Sequence, residues 1–157
     1  THSMGAILLR WAMNNHAMPR LRRAVLITPP NQGAWVANRF HEKIGEFFPL
    51  IWGQAAMQLR PGELGIAANA GLLEGTETGV IAAGSGTAQG IRNWFRIPGD
   101  NDGLVAVEET ILPGMKDFLL VKHNHTSVLF SSQTAHMCNL FLQHGVFRPK
   151  VKELEAE

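Results

Sequence analysis

The chain has 157 residues and a formal net charge of +1, with 45% hydrophobic and 17% charged residues. This length suits one hydrophobic core, and the composition is that of a globular rather than a disordered protein. So small a net charge excludes an electrostatic footprint for nucleic acid, and the short basic cluster at 20–23 is interpreted as a solvated connection. We therefore expect one domain, spanning 1–157, and no nucleic-acid partner.

Cysteine content and hydrophobic runs limit the chemistry further. Cys138 is the single cysteine, which excludes an intrachain disulfide and the cysteine-rich zinc patterns. No apolar run reaches the roughly 18 residues that a membrane span needs, so we expect no transmembrane segment. The sequence leaves the oligomeric state and the compartment open, with the cytoplasm favoured.

Hydrophobic periodicity predicts alternating helices and strands. The predicted elements are a helix from the first residues to Asn14 and Asn15, buried strands at 24–28, 78–84 and 118–121, and a last helix over 127–141 in which Val128, Ala135, Cys138 and Leu142 share a face. This order predicts an α/β fold, a mostly parallel sheet with helices on both faces. Ligand sites in such sheets lie at the C-terminal ends of the strands.

Between the first two strands lies a segment rich in large apolar side chains. Residues 34–60 include Trp35 and Trp52, and Pro49 and Gly53 interrupt any single helix. This pattern predicts short helices, either a cap-like segment or ordinary core packing. No linker divides the chain.

The first five residues, Thr-His-Ser-Met-Gly, fit a nucleophile elbow, a sharp strand-to-helix turn that normally has glycine two residues before and two after the serine. Thr1 replaces the first glycine. In such a turn Ser3 presents its hydroxyl to a base, and the helix N-terminus behind it favours developing negative charge. The alternative is an ordinary helix N-cap. An acid and a histidine after later strands would favour the elbow.

The candidate acid lies in the segment 98–105, after the second strand. A buried carboxylate there could accept the Nδ1 proton of a histidine and hold its tautomer. A calcium loop is the alternative, because Asp100 and Asp102 alternate before Gly103, but the terminal glutamate at the spacing of a calcium loop is missing. We therefore expect no metal, and Asp102 is the predicted acid.

The candidate base is His125, which follows the third strand and precedes the last helix. His123 is the competitor. The two histidines could bind a metal from an extended strand, but no third ligand clusters with them. The other histidines are interpreted as helix or surface residues.

These residues resemble the bacterial α/β-hydrolase-fold serine esterases and lipases, including the triacylglycerol-lipase-like and phosphatidylinositol-deacylase-like branches. The resemblance covers nearly the whole chain and is carried by residues 1–10, by Thr-Pro-Pro-Asn-Gln-Gly at 28–33, by 101–105 and by Asn124 and His125. It implies that Ser3 is the nucleophile, Asp102 rather than Asp100 the acid, and His125 the general base.

The resemblance also implies an oxyanion-hole donor, the backbone N–H of Met4, and an acyl site lined by the loop at 28–33. The substrate-pocket candidates are His2, Pro30, Asn31 and Gln32. The implied activity is hydrolysis of acyl or lipid esters through an acyl-enzyme, with no cofactor. The alternatives are a non-catalytic binding module or inactive fragment, or an acyltransferase, thioesterase or amidase with the same three residues.

Enzymes of this fold place several strands before the elbow, whereas this chain begins on it. The resemblance therefore implies the C-terminal part of a larger hydrolase, without the second oxyanion donor. Loss of one donor typically lowers the rate by a factor of about 100 to 1,000, so we expect these residues alone to be a poor catalyst.

Overall fold

The computed structural model describes residues 1–16, 18, 20–37, 39, 65–86 and 96–148. They contain the helices α1 (Met4–Asn15), α2 (Ile66–Asn69) and α3 (Ser132–His144), the strands β1 (Arg23–Ile27), β2 (Glu77–Ala83) and β3 (Asp117–Val121), and short 3-10 helices at Glu108–Thr110 and Ser127–Phe130. The three strands occur where the sequence predicts them. The cap-like segment predicted at 34–60 lies almost entirely outside the described residues.

The strands form a parallel sheet in the order β1-β2-β3. Residues 1–3 continue this sheet along the free edge of β1, because Ile27 N donates to Thr1 O at 2.8 Å and Ser3 N donates to Ile27 O at 2.9 Å. The carboxyl ends of all these segments therefore meet at one edge of the sheet, which is where binding sites of parallel sheets lie.

Helices cover both faces of the sheet, as predicted. On one face α1 packs on the alternate side chains of β1, so that Ala6 lies in one cluster with Leu26 and Val80. On the other face Phe141 of α3 packs against Val25 and its neighbours in a second cluster. Burial of these two apolar layers is what holds the strands and the loops at their ends in place.

Two element ends differ from the prediction. Thr28, placed in the first strand by its apolar run, has a φ of 43° and leaves the strand. The last helix is not continuous, because a 3-10 turn over Ser127–Phe130 stops at Ser131, whose side chain caps α3 by accepting the backbone N–H three residues on. This break changes the helical phase, so Phe141 is buried whereas Ala135 and Leu142, predicted to face the core, are exposed.

Gly79 in β2 is required by the aromatic layer under α3. A Cβ at this position would lie 2.7 Å from ring carbons of both Phe141 and Phe147, whose ring centroids are 4.9 Å apart. Neither ring can move far, because both are fully buried.

We expect Gly79→Ala to lower the free energy of unfolding by about 1–3 kcal/mol, the usual effect of overpacking a core. Chemical denaturation measures this loss. A double-mutant cycle with Phe147→Leu is the control, since trimming one ring should reduce the cost of the added methyl. A Gly79→Ala variant as stable as the wild type would contradict this account of the core.

Candidate active site

Ser3 lies at the turn between the sheet and α1. Its φ of 51° and ψ of −129° are a strained backbone conformation for a residue with a side chain. Gly5 faces Thr1 across the turn, and a Cβ on Gly5 would lie 3.8 Å from Thr1 Cβ, so threonine fits where such turns usually have glycine. Ser3 stands at the N-cap position but its side chain makes no capping bond. The interpretation as an ordinary N-cap is therefore wrong.

The structure brings Ser3, His125 and Asp102 together. Ser3 Oγ lies 3.0 Å from His125 Nε2, and His125 Nδ1 lies 2.7 Å from Asp102 Oδ2. The Asp102 and His125 residues are only 2% and 9% exposed, respectively. These three residues come from the elbow, from the loop after β2 and from the loop after β3, all at the same edge of the sheet.

Backbone donors fix the orientation of the Asp102 carboxylate. Oδ1 accepts the N–H groups of Leu104 at 2.9 Å and Val105 at 2.7 Å, which leaves Oδ2 to face the imidazole. In addition, His125 N donates to Asp102 O at 3.0 Å. Main-chain and side-chain hydrogen bonds thus hold together the loop that carries Asp102, here called the acid loop, and the loop that carries His125, here called the histidine loop.

Asp100, the other candidate acid, serves the neighbouring loop instead. Its Oδ1 accepts Ser85 N at 2.9 Å and its Oδ2 accepts Gly86 N at 2.8 Å. Gly84 permits this approach, since a Cβ there would lie 2.7 Å from Asp100 Oδ1. His123, the competitor of His125, is 3.5 Å from Ser127 Oγ through its Nδ1. The geometry therefore joins Asp102 and His125, rather than Asp100 and His123, to Ser3.

The carboxylates of Asp100 and Asp102, in the loop after β2, accept hydrogen bonds from backbone N–H groups. Among the residues that the structure describes, no group of three or more His, Cys, Asp or Glu side chains is arranged to hold a metal ion.

The first N–H of α1 belongs to Met4. The next two N–H groups are paired, since Gly5 N donates to His2 O at 2.9 Å and Ala6 N donates to Ser3 O at 3.0 Å. Met4 N makes no hydrogen bond to an acceptor in the described part of the chain. A free N–H at a helix N-terminus is a suitable donor for an anionic oxygen.

The loop after β1, which holds three of the predicted pocket residues, is tied to its surroundings. Asn31 is 5% exposed, accepts Arg10 Nη1 at 3.2 Å through Oδ1 and donates to Thr110 O at 2.8 Å. Pro30 is buried, and the exposed Gln32 donates from Nε2 to Ile111 O at 3.1 Å. The polar atoms of Asn31 thus bind the protein itself, and the assignment of these residues to a substrate pocket stays a prediction.

Two charged residues that the sequence interpretation did not single out support these loops. Arg10 is 4% exposed and donates to Gly71 O at 2.7 Å and Ala67 O at 2.9 Å besides Asn31, and burial lowers its pKa. Its position three residues after the buried Ile7 on the same helix face is the signal that could have indicated it.

Glu109 connects the loop after β1 with the acid loop. Its carboxylate accepts Trp35 N and, at 2.8 Å, Ala106 N. Burial, with a smaller contribution from the charge of Asp102, raises the pKa of Glu109 to about 6. No local sequence pattern indicates this role, because it depends on a donor 74 residues away.

His2 contacts His125 directly. Its Nε2 lies 3.0 Å from His125 O, and the two ring centroids are 4.7 Å apart. Burial, and then the charge on His125, lower the pKa of His2. The structure thus places His2 beside the His125 ring and against the His125 backbone.

Neither the protein-family models nor the curated proteins give a match to this chain. Among solved structures, the crystal structure of lipase BlEst2 from Bacillus licheniformis in its mature form is similar, with a TM-score of 0.61 and 16% sequence identity. The match covers 90% of this chain and 62% of the lipase, so the chain spans about three fifths of that protein's length. Together with the parallel sheet and its covering helices, this likeness shows the predicted α/β-hydrolase fold.

None of the helices that the structure describes is long and apolar enough to cross a membrane.

Glu109 gives the folding stability a pH dependence of defined sign. Its pKa rises from 4.5 to about 6 on folding, so the folded state binds this proton more tightly than the unfolded state. The stabilisation is complete below the unfolded value and is lost as the pH rises through the folded value. The Glu109→Gln variant has no carboxyl group at this position, so this contribution to the pH dependence is absent from it.

From pH about 4.5 to pH about 7.5 we therefore expect Glu109→Gln to gain up to about 2 kcal/mol of stability relative to the wild type. Urea denaturation of both proteins across this range measures the difference. A difference that is constant with pH, or that changes in the opposite direction, would contradict the assignment.

Proposed function

We propose that the protein is a serine hydrolase that cleaves acyl or lipid esters through an acyl-enzyme on Ser3. The observation that carries the proposal is the continuous chain of hydrogen bonds from Ser3 through His125 to Asp102, with heavy-atom distances of 3.0 and 2.7 Å. These are the distances that a nucleophile and its base require. The fold, which is also that of a lipase, supports the same class of reaction.

In the proposed reaction Ser3 Oγ attacks the ester carbonyl carbon while His125 Nε2 takes the hydroxyl proton. Asp102 holds the proton on His125 Nδ1 and stabilises the imidazolium that forms. The tetrahedral intermediate collapses when the bond to the leaving alcohol breaks and Nε2 gives its proton to that oxygen. Water then attacks the acyl-enzyme by the same steps and releases the acid, so no cofactor is needed.

The negative charge of the tetrahedral intermediate develops on the former carbonyl oxygen. The N–H of Met4, which has no hydrogen-bond acceptor among the described residues and lies at the positive end of the α1 dipole, is the donor that we assign to it. The strained backbone of Ser3 supports this assignment, because it places the hydroxyl and the following N–H on one turn. An acyltransferase, a thioesterase or an amidase would use the same groups, and product analysis with alcohol acceptors separates these reactions.

The first test is covalent labelling of the protein expressed from its full natural coding sequence. A fluorophosphonate probe should form one adduct, located on Ser3 by peptide mass spectrometry, and hydrolysis of a p-nitrophenyl ester should cease as the adduct forms. Ser3→Ala should neither label nor hydrolyse. If the wild-type protein remains unlabelled, or if Ser3→Ala hydrolyses the ester at the wild-type rate, the proposal fails.

The second test compares two neighbouring aspartates of the same loop. Asp102→Asn should lower kcat by about three to four orders of magnitude, because an amide can present its N–H₂ to His125 and favour the wrong tautomer. Asp100→Asn alters the contacts with Ser85 and Gly86, so it should affect the melting temperature but have only a small effect on kcat. Equal losses of kcat in the two variants, or a larger loss in Asp100→Asn, would reject Asp102 as the acid.

A further inference from the structure

His2 precedes Ser3 directly and contacts the residue whose imidazole faces that serine. Its Nε2 is 3.0 Å from His125 O, and its ring lies tilted against the His125 ring at a centroid distance of 4.7 Å and an interplanar angle of 48°. A carbonyl oxygen only accepts, so the proton of the His2 ring must be on Nε2. This contact joins residues 123 positions apart.

The backbone of His125 has one long-range hydrogen bond on each side. Its N–H donates to Asp102 O in the acid loop, and its carbonyl accepts from His2 in the elbow. The side chain of His125 adds the bonds to Asp102 Oδ2 and Ser3 Oγ, and beside these the loop has local bonds, in which Asn124 Oδ1 accepts Thr126 N at 3.0 Å and Ser127 N at 2.7 Å. Local bonds shape the loop but do not fix its distance from Ser3.

The bond between Ser3 and His125 cannot fix that distance either. In the proposed reaction it breaks when Ser3 attacks, and Nε2 then turns its proton towards the leaving group. The bond from Nδ1 to Asp102 Oδ2 holds the orientation of the ring, and a contact with the elbow itself would hold its distance from Ser3, because a displacement of about 1 Å can cost about a hundredfold in rate.

We propose that His2 is a positioning residue, which holds the backbone of His125 at a fixed distance from the nucleophile through its Nε2–H. The inference rests on the proposed function. The role requires a neutral ring, because a charged His2 would repel the imidazolium that forms on His125. The pKa of His2 is lowered by burial first and by the charge on His125 next, against the opposing effects of the hydrogen bond to His125 O and of Asp102, and this net lowering favours a neutral ring near neutral pH.

Two variants of the protein expressed from its full natural coding sequence separate hydrogen bonding from packing. His2→Phe keeps a ring beside His125 and removes the donor, whereas His2→Gln removes the ring and keeps an N–H₂ at a similar reach. We expect His2→Phe to lower kcat for a p-nitrophenyl ester about tenfold with KM nearly unchanged, and His2→Gln to recover most of that loss. The rate of fluorophosphonate labelling should follow kcat.

A His2→Phe variant with wild-type kcat would overturn the inference, as would a folded His2→Gln variant no better than His2→Phe. Nitrogen NMR of the wild type adds a test that needs no variant. It should show His2 neutral and protonated on Nε2 at neutral pH, and a proton on Nδ1 instead would also overturn the inference. Labelling of the wild type at Ser3 with no effect of His2→Phe rejects only this inference, whereas an unlabelled wild type rejects the proposed function and the positioning role with it.

Discussion

The buried contact between Asp102 and His125 is the interaction on which the rest of the site depends. It joins the loop after β2 to the loop after β3, and a second bond between the same two residues, from His125 N to Asp102 O, runs beside it. A buried carboxylate needs donors on both oxygens, and here two backbone N–H groups and one imidazole supply them. The parallel sheet makes this possible, because it brings both loops and the Ser3 turn to one edge.

Around this contact, buried and half-buried polar residues link α1 and the loops to one another. Arg10 and Asn31 connect α1 with the loop after β1, and Glu109 connects that loop with the acid loop. Such links are costly to bury unless every polar atom is satisfied, and their loss would let the loops move independently. A proposed hydrolytic site needs this rigidity, since catalysis depends on donors and bases that are already in position.

Much of the fold and part of the site could be predicted from the sequence. The strands were predictable because the apolar runs are only four to seven residues long and are bounded by turn residues. The grouping of Ser3, Asp102 and His125 was predictable because Ser3 lies in an elbow motif that begins a helix, and the other two each follow a predicted strand in the expected order. The break at Ser131 was not predictable, since the apolar pattern continues through it. The contacts that Glu109 makes with Trp35 and His2 with His125 were not predictable either, because these partners lie 74 and 123 residues away along the chain.

The measurement that tests the central claim most directly is a crystal structure of the full natural protein after reaction with a phosphonate ester. The account predicts phosphorus bonded to Ser3 Oγ, a phosphonyl oxygen within hydrogen-bond distance of Met4 N, and His125 still bonded to Asp102. An adduct on another residue would contradict it. So would an adduct on Ser3 whose phosphonyl oxygen points away from Met4 N with His125 separated from Asp102.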